Sequence, residues 1–181
     1  MGKLVSATYG DALFELAVSQ NRVDGFYDEA QAVLAAFKDN GELMAILNHP
    51  KIVKEEKISV IENIFSKFVS KEMTGFLVTI VTKDRSTEIP EIFEYFIGRI
   101  KEYKRIGVAY VTTPMELSES SKAKIVDKLL KTTDYREFEM NYAVDKSLIG
   151  GMVIRIGDRV VDSSIKHKLD SLSRELAQID V

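Results

Sequence analysis

The chain of 181 residues has no cysteine, no tryptophan, three prolines and two histidines. Without cysteine there can be no disulfide, no thiolate metal site and no cysteine nucleophile, and the composition fits a reducing compartment. His49 and His167 have no partner at metal-ligand spacing, which argues against a zinc site. No G-x-x-x-x-G-K-[ST] is present, and Gly150, Gly151 and Gly157 do not fit G-x-G-x-x-G, so a phosphate cradle has little support. No apolar run approaches the ~18 residues of a membrane span. Residues 1–10 show neither an apolar secretion segment nor an arginine-rich transit segment, so the chain reads as soluble, cytosolic and untargeted. An excess of positive charge is missing too. Formal net charge is -3, with Lys+Arg 14 against Asp+Glu 16 up to Ile106 and 11 against 12 thereafter. Neither half has the cationic footprint of a nucleic-acid binder.

What the chain does have is 45% hydrophobic residues, arranged with clear periodicity. Val5, Tyr9, Ala12, Leu13 and Leu16 share a stripe ~100° wide and predict a first helix. Leu4, Phe14 and Val18 lie off that stripe, so this helix is apolar on more than one side. A second helix is predicted over 23–38, stopped by Asn40-Gly41. A short one covers 42–47 and ends before Pro50. The next spans 54–69, with Ile58, Ile61, Phe65 and Phe68 in register. Ser70 caps another, whose apolar face is Met73, Phe76, Leu77, Ile80 and Val81. Pro90 fits the first turn of a last helix carrying Ile92, Phe93, Phe96, Ile100 and Tyr103. Short joints between them predict an antiparallel six-helix, all-α bundle over residues 1–105.

From residue 106 the pattern changes. Residues 108–113 are β-branched and aromatic, and Pro114 ends the run. Ser118 caps a helix with Ile125, Val126, Leu129 and Leu130 on its apolar side. Phe138, Met140, Tyr142 and Val144 alternate with polar or small residues, which predicts a sheet with one wet face. Gly150-Gly151 marks a turn or bulge before a strand from Met152 to Ile156. Gly157-Asp158 marks a second turn, and Arg159-Val160-Val161 a return strand. Asp162 and Ser163 suit the N-cap of a final helix with Ile165, Leu169, Leu172, Leu176 and Ile179 at 4-3-4-3 spacing. The whole is a small α/β unit over residues 106–181.

Catalysis finds no constellation. Asp162-Ser163-Ser164 is better explained by capping than by nucleophilic chemistry, and the pairs Glu55-Glu56 and Glu137/Glu139 look like solvated faces. No catalytic, metal or cofactor residue is assigned. The first helix and the seam of the final helix are the two stripes with apolar surface to spare. Either both face their own domain, or one takes a partner helix in a groove.

The full length resembles the delta subunit of the bacterial F-type ATP synthase, the counterpart of the mitochondrial oligomycin-sensitivity-conferring protein. Tyr9-Gly10-Asp11-Ala12-Leu13-Phe14-Glu15-Leu16-Ala17 resembles that family's Y-A-x-A-L-F-x-x-A opening, with Gly10 in place of the usual alanine. Leu47-Asn48-His49-Pro50 matches its L-x-x-P turn, and Lys83-Asp84-Arg85 the end of its fifth helix. The most specific match runs from Asp145 through Leu148-Ile149-Gly150-Gly151, Val153-Ile154, Ile156-Gly157-Asp158, Val160 and Asp162 to Ser164-Ile165, followed by Leu169 and Leu172.

This resemblance implies a non-catalytic stator subunit that acts in ATP synthesis and hydrogen ion transport, peripheral on the cytoplasmic face of the plasma membrane. It implies that the helical bundle holds the N-terminal helix of an alpha subunit between its first and fifth helices. The matching positions are Tyr9, Ala12, Leu13 and Leu16 on one side and Met73, Phe76, Leu77 and Ile80 on the other. It implies that the C-terminal domain binds the b subunits of the peripheral stalk through Ile149, Gly150, Gly151, Ile165, Leu169 and Leu172. Leu13→Asp or Phe76→Asp is then expected to weaken alpha-subunit binding while the domain still folds. The competing reading is a free-standing regulatory or small-ligand α/β module with a helical adaptor, which expects a closed pocket in the α/β unit.

Overall fold

A computed structural model describes residues 2–165 together with residues 167 and 169. The chain divides into two compact units, residues 1–101 and 102–181. The first contains α1 (Gly2–Ser19), α2 (Val23–Asp39), α3 (Gly41–Leu47), α4 (Lys54–Phe65) and α5 (Lys71–Thr82). A single 3-10 turn, Ser86–Glu88, leads into α6 (Ile89–Lys104). After α6 come β1 (Ile106–Thr113), α7 (Glu119–Thr132), β2 (Glu137–Val144), β3 (Val153–Ile156) and β4 (Arg159–Asp162). The mostly helical front followed by a small α/β unit is the fold class expected from the sequence.

Helices of 7 to 18 residues are too short to persist alone, so each depends on the apolar ridge it buries. The common core takes Leu13 and Ala17 from α1, Phe26, Ala30, Val33 and Phe37 from α2, and Leu43 and Leu47 from α3. Ile61 and Phe65 come from α4, Met73, Leu77, Ile80 and Val81 from α5, and six residues of α6 from Ile89 to Ile100 complete it. Phe37 stacks on Phe65 at 5.6 Å between ring centroids. Ser70 caps α5 as expected, its hydroxyl accepting from the Met73 N–H at 3.3 Å. The same residue donates its N–H and hydroxyl to Glu29 Oε2 at 3.0 and 2.6 Å, tying α5 to α2.

Three local expectations are corrected. The fourth helix ends at Phe65 and not at residue 69, because the chain turns through 66–69 to reach the Ser70 cap. Phe68 therefore leaves the apolar register and is 76% exposed. On α1 the buried line is Ser6, Gly10, Leu13 and Ala17, to one side of the expected stripe. Gly10 is more than a mild weakness in that helix: a Cβ there would overlap the Tyr95 ring of α6. Beside it, Asp11 Oδ1 accepts from the Tyr95 hydroxyl and from Arg99 Nε, both at 3.1 Å.

In the second unit the sheet order is β2-β1-β3-β4. β1 pairs parallel with β2, the connection made through α7, and antiparallel with β3, which forms a hairpin with β4 across Gly157-Asp158. Ala109 and Val111 of β1 pack on Ile125 and Leu129 of α7, with Phe138, Met140, Ile154 and Ile156 around them. The alternation in β2 holds for Phe138 and Met140, which are half-buried, and fails at Tyr142 and Val144, which are exposed on this edge strand. Ser118 caps α7 as expected, accepting from the Ser121 N–H at 3.3 Å. The cap of the final helix is Ser164, which accepts from the His167 N–H at 3.2 Å, one or two residues later than expected. Leu172, Leu176 and Ile179 lie outside the described residues.

Leu77 is fully enclosed in the helical core. Leu77→Ala is expected to lower unfolding free energy by about 3 kcal/mol, read as a shift in the urea midpoint.

Candidate partner-binding surfaces

The residues expected to face an alpha-subunit helix divide into two groups. Leu13, Met73, Leu77 and Ile80 are 0–1% exposed and belong to the bundle's own core. They are corrected from surface to core. The reason is rotational: the broad apolar face of α5 that carries Met73, Leu77 and Ile80 is the one it needs for packing. Leu13→Asp would bury an unpaired carboxylate, so loss of folding, and not selective loss of binding, is its expected effect. The second group lies on the flank of that core. Ala12 is exposed, and Tyr9, Leu16 and Phe76 are half-buried, with Val5 on the same side of α1. The Tyr9 ring meets Phe76 edge-on at 6.3 Å, and Phe76 meets Phe93 at 6.0 Å. An aromatic ladder thus runs from the flank of α1 through α5 to the core of α6. Tyr9, Ala12, Leu16 and Phe76 form the accessible apolar surface in this region.

The second surface is the turn from Asp145 to Ile165. The Asp145 N–H donates to Thr113 O at 2.8 Å, and its Oδ1 accepts from the Ser147 N–H at 2.9 Å. Leu148 is buried, whereas Ile149 is 67% exposed. The Ile165 N–H donates to Gly150 O at 2.9 Å, and the Ser163 N–H donates to Met152 O at 3.0 Å. These bonds press residues 150–151 onto 163–165. A side chain at Gly150 would overlap Ile165. Gly151 has φ +80° and lies against the Ser163 carbonyl and Ser164 Cα. Glycine is required there on both conformational and packing grounds. Ile165 and Leu169 are 44% and 53% exposed. Val144, Val160 and Val161, also exposed, add apolar surface that alternation alone did not mark as outward.

Asp162 ends β4, two residues before the Ser164 cap of the final helix. The Ser164 hydroxyl and backbone N–H beside it hold its carboxyl below the usual range, and the His167 imidazole 3.9 Å away acts in the same direction. Elsewhere a shallow cleft of about 400 Å³ lies between α4 and α5, lined by Glu62, Ser66, Val69, Lys71, Thr74, Gly75 and Val78. Among the described residues no three His, Asp or Glu side chains gather as for a metal, and no helix is long and apolar enough to cross a membrane.

A helical bundle is followed by a small mixed sheet, and each unit leaves apolar surface open to solvent. The chain belongs to the ATP synthase delta (OSCP) subunit family, whose sequence profile matches residues 5–176. It is 55% identical over 181 residues to the ATP synthase subunit delta of Lachnoclostridium phytofermentans, covering 100% of both chains. It is 34% identical over 172 residues to the subunit delta of Desulforamulus reducens, covering 95% of this chain and 94% of that one. Among solved structures, a chain of the Toxoplasma gondii mitochondrial ATP synthase hexamer shares the fold with a TM-score of 0.72 at 18% identity, over 95% of this chain and 97% of that one. The protein is thus a non-catalytic subunit of an F-type ATP synthase and a component of its peripheral stalk.

The lowered Asp162 pKa has a definite sign in stability. A carboxyl whose folded pKa is depressed contributes stability above its unfolded value, about 3.9, and loses it as pH falls through the folded value. Asp162→Asn is therefore expected to be less stable than wild type at about pH 6, with the difference shrinking below about pH 3. Urea midpoints of both proteins across that range would show it, and a pH-independent difference would exclude it.

Proposed function

We propose that the helical unit holds the N-terminal helix of an alpha subunit of the catalytic head along the flank formed by Tyr9, Ala12, Leu16 and Phe76. We propose further that the α/β unit binds the b subunits through Ile149, Gly150, Gly151, Ile165 and Leu169, together with Leu172, which lies outside the described residues. The subunit then joins head to stalk at the cytoplasmic face of the plasma membrane, and resists rotation of the head while hydrogen ion flow turns the rotor. Affinity and stiffness are the requirements, and no bond is made or broken by this chain.

The observation that carries the first assignment is the Tyr9–Phe76 contact. It leaves an aromatic edge and the exposed Ala12 beside a core that is already complete. A helix laid on this flank would bury apolar surface worth ~25 cal/mol per Å² before the costs of association. Small Ala12 allows close approach of a partner backbone.

Calorimetric titration with a peptide from the alpha-subunit N-terminus tests it. Saturable one-to-one binding is expected, weakened about tenfold or more by Ala12→Asp with an unchanged helical spectrum. Equal affinity in wild type and Ala12→Asp would remove this flank from the interface.

A further inference from the structure

The chain has five asparagines, Asn21, Asn40, Asn48, Asn63 and Asn141, and all are exposed. Asparagine is thermolabile. The backbone nitrogen of the next residue attacks its side-chain carbonyl wherever that nitrogen is uncrowded and free of other bonds. Arg22, after Asn21, donates its N–H to Ala17 O at 3.0 Å, and His49, after Asn48, donates to Ile46 O at 3.1 Å. Ile64, after Asn63, lies inside α4, and Tyr142, after Asn141, inside β2. Each of these four neighbours also carries a bulky side chain. Asn40 is followed instead by Gly41, which carries none. The Gly41 N–H is the first of α3 and has no acceptor among the described residues. The space that a Cβ on Gly41 would fill is open.

Asn40 is the single residue between α2 and α3, with φ -119° and ψ 80°. Its side chain makes no cap bond to α3, and its Nδ2 donates to Ala36 O at 3.0 Å in an exposed contact. Attack requires release of that side chain and rotation of the peptide that begins α3. The rotation also loosens the bond from the Leu43 N–H to Asn40 O, 3.1 Å. These are two bonds at the start of a helix of seven residues, too short to persist alone.

We propose that Asn40-Gly41 is a site of spontaneous deamidation, and that its rearranged product loosens α3 from the bundle core. The Gly41 nitrogen bonds to Cγ of Asn40 and gives up its proton to solvent. The Nδ2 group leaves as ammonia, and a succinimide ring results. Water then opens the ring at either carbonyl, leaving aspartate or isoaspartate. Aspartate sets a carboxylate toward the Ala36 carbonyl, unfavourable at the end of α2, but the same charge is favourable at the start of α3. Isoaspartate adds a carbon to the main chain between two helices whose Phe37 and Leu43 are both buried in the common core. That extra length breaks the joint that seats both side chains.

The test incubates the full chain, folded and in denaturing urea, and maps the products by peptide mass spectrometry. The isoaspartate fraction is separated for thermal unfolding. The folded chain is expected to gain the acidic product at Asn40 and not at the other four asparagines. Gly41→Ala is expected to lose that product over the same incubation with its fold intact, since the open space admits the methyl group. The isoaspartate fraction is expected to unfold at a lower temperature than fresh protein, and Asn40→Asp close to it. Product at Asn40 only in urea would show that the joint protects it and would overturn the site. Product spread evenly over the asparagines of the folded chain would overturn the argument from the free Gly41 N–H. An unchanged midpoint in the isoaspartate fraction would overturn the loosening of α3.

Discussion

Glu29 of α2 accepts two hydrogen bonds from Ser70, and the Ser70 hydroxyl in turn accepts from the Met73 N–H. This contact fixes where α5 begins, and with it which of its faces turns inward. Met73, Leu77, Ile80 and Val81 are then committed to the core, and Phe76 is left on the flank toward Tyr9. The apolar surface available to a partner follows from how α5 packs. Changing the core face of α5 changes the fold, whereas changing its flank alters only what the fold presents.

The two units reach stable surfaces by different physics. In the helical unit, burial of one ridge from each short helix supplies the stability, and the remaining apolar flank is continuous with the core behind it. In the α/β unit the buried cluster around Ala109 and Val111 is small, and backbone approach does more of the work. Residues 150–151 and 163–165 are so close that a side chain at Gly151 would run into the backbone of Ser163 and Ser164, and one at Gly150 would displace the tip of Ile165. A subunit that must resist displacement benefits from both arrangements, since neither leaves a long irregular loop between the surface and its support.

Element type and order were legible in the sequence because apolar periodicity reports burial against a common core. Ser70 and Ser118 were legible as caps because each is a hydroxyl residue standing just before a run with helical apolar periodicity. Helix ends were less so: Phe68 continues the spacing of Ile61 and Phe65, yet the chain turns away before it. The spacing of Leu13, Met73, Leu77 and Ile80 identified apolar faces but could not say which faces the bundle would consume. The positive φ of Ile149, +64°, could not be read, because isoleucine has no preference for that region.

The close approach of α1 and α6 at Gly10 inverts the usual ranking of residues for a helix. Alanine is ordinarily the better helix former by roughly 1 kcal/mol. At this position the extra methyl would meet the Tyr95 ring, and the ring is held in place by its bond to Asp11. Positions 10 and 95 are therefore not free to vary independently. A larger residue at the first calls for a smaller or displaced ring at the second, so the two sites act as one packing unit.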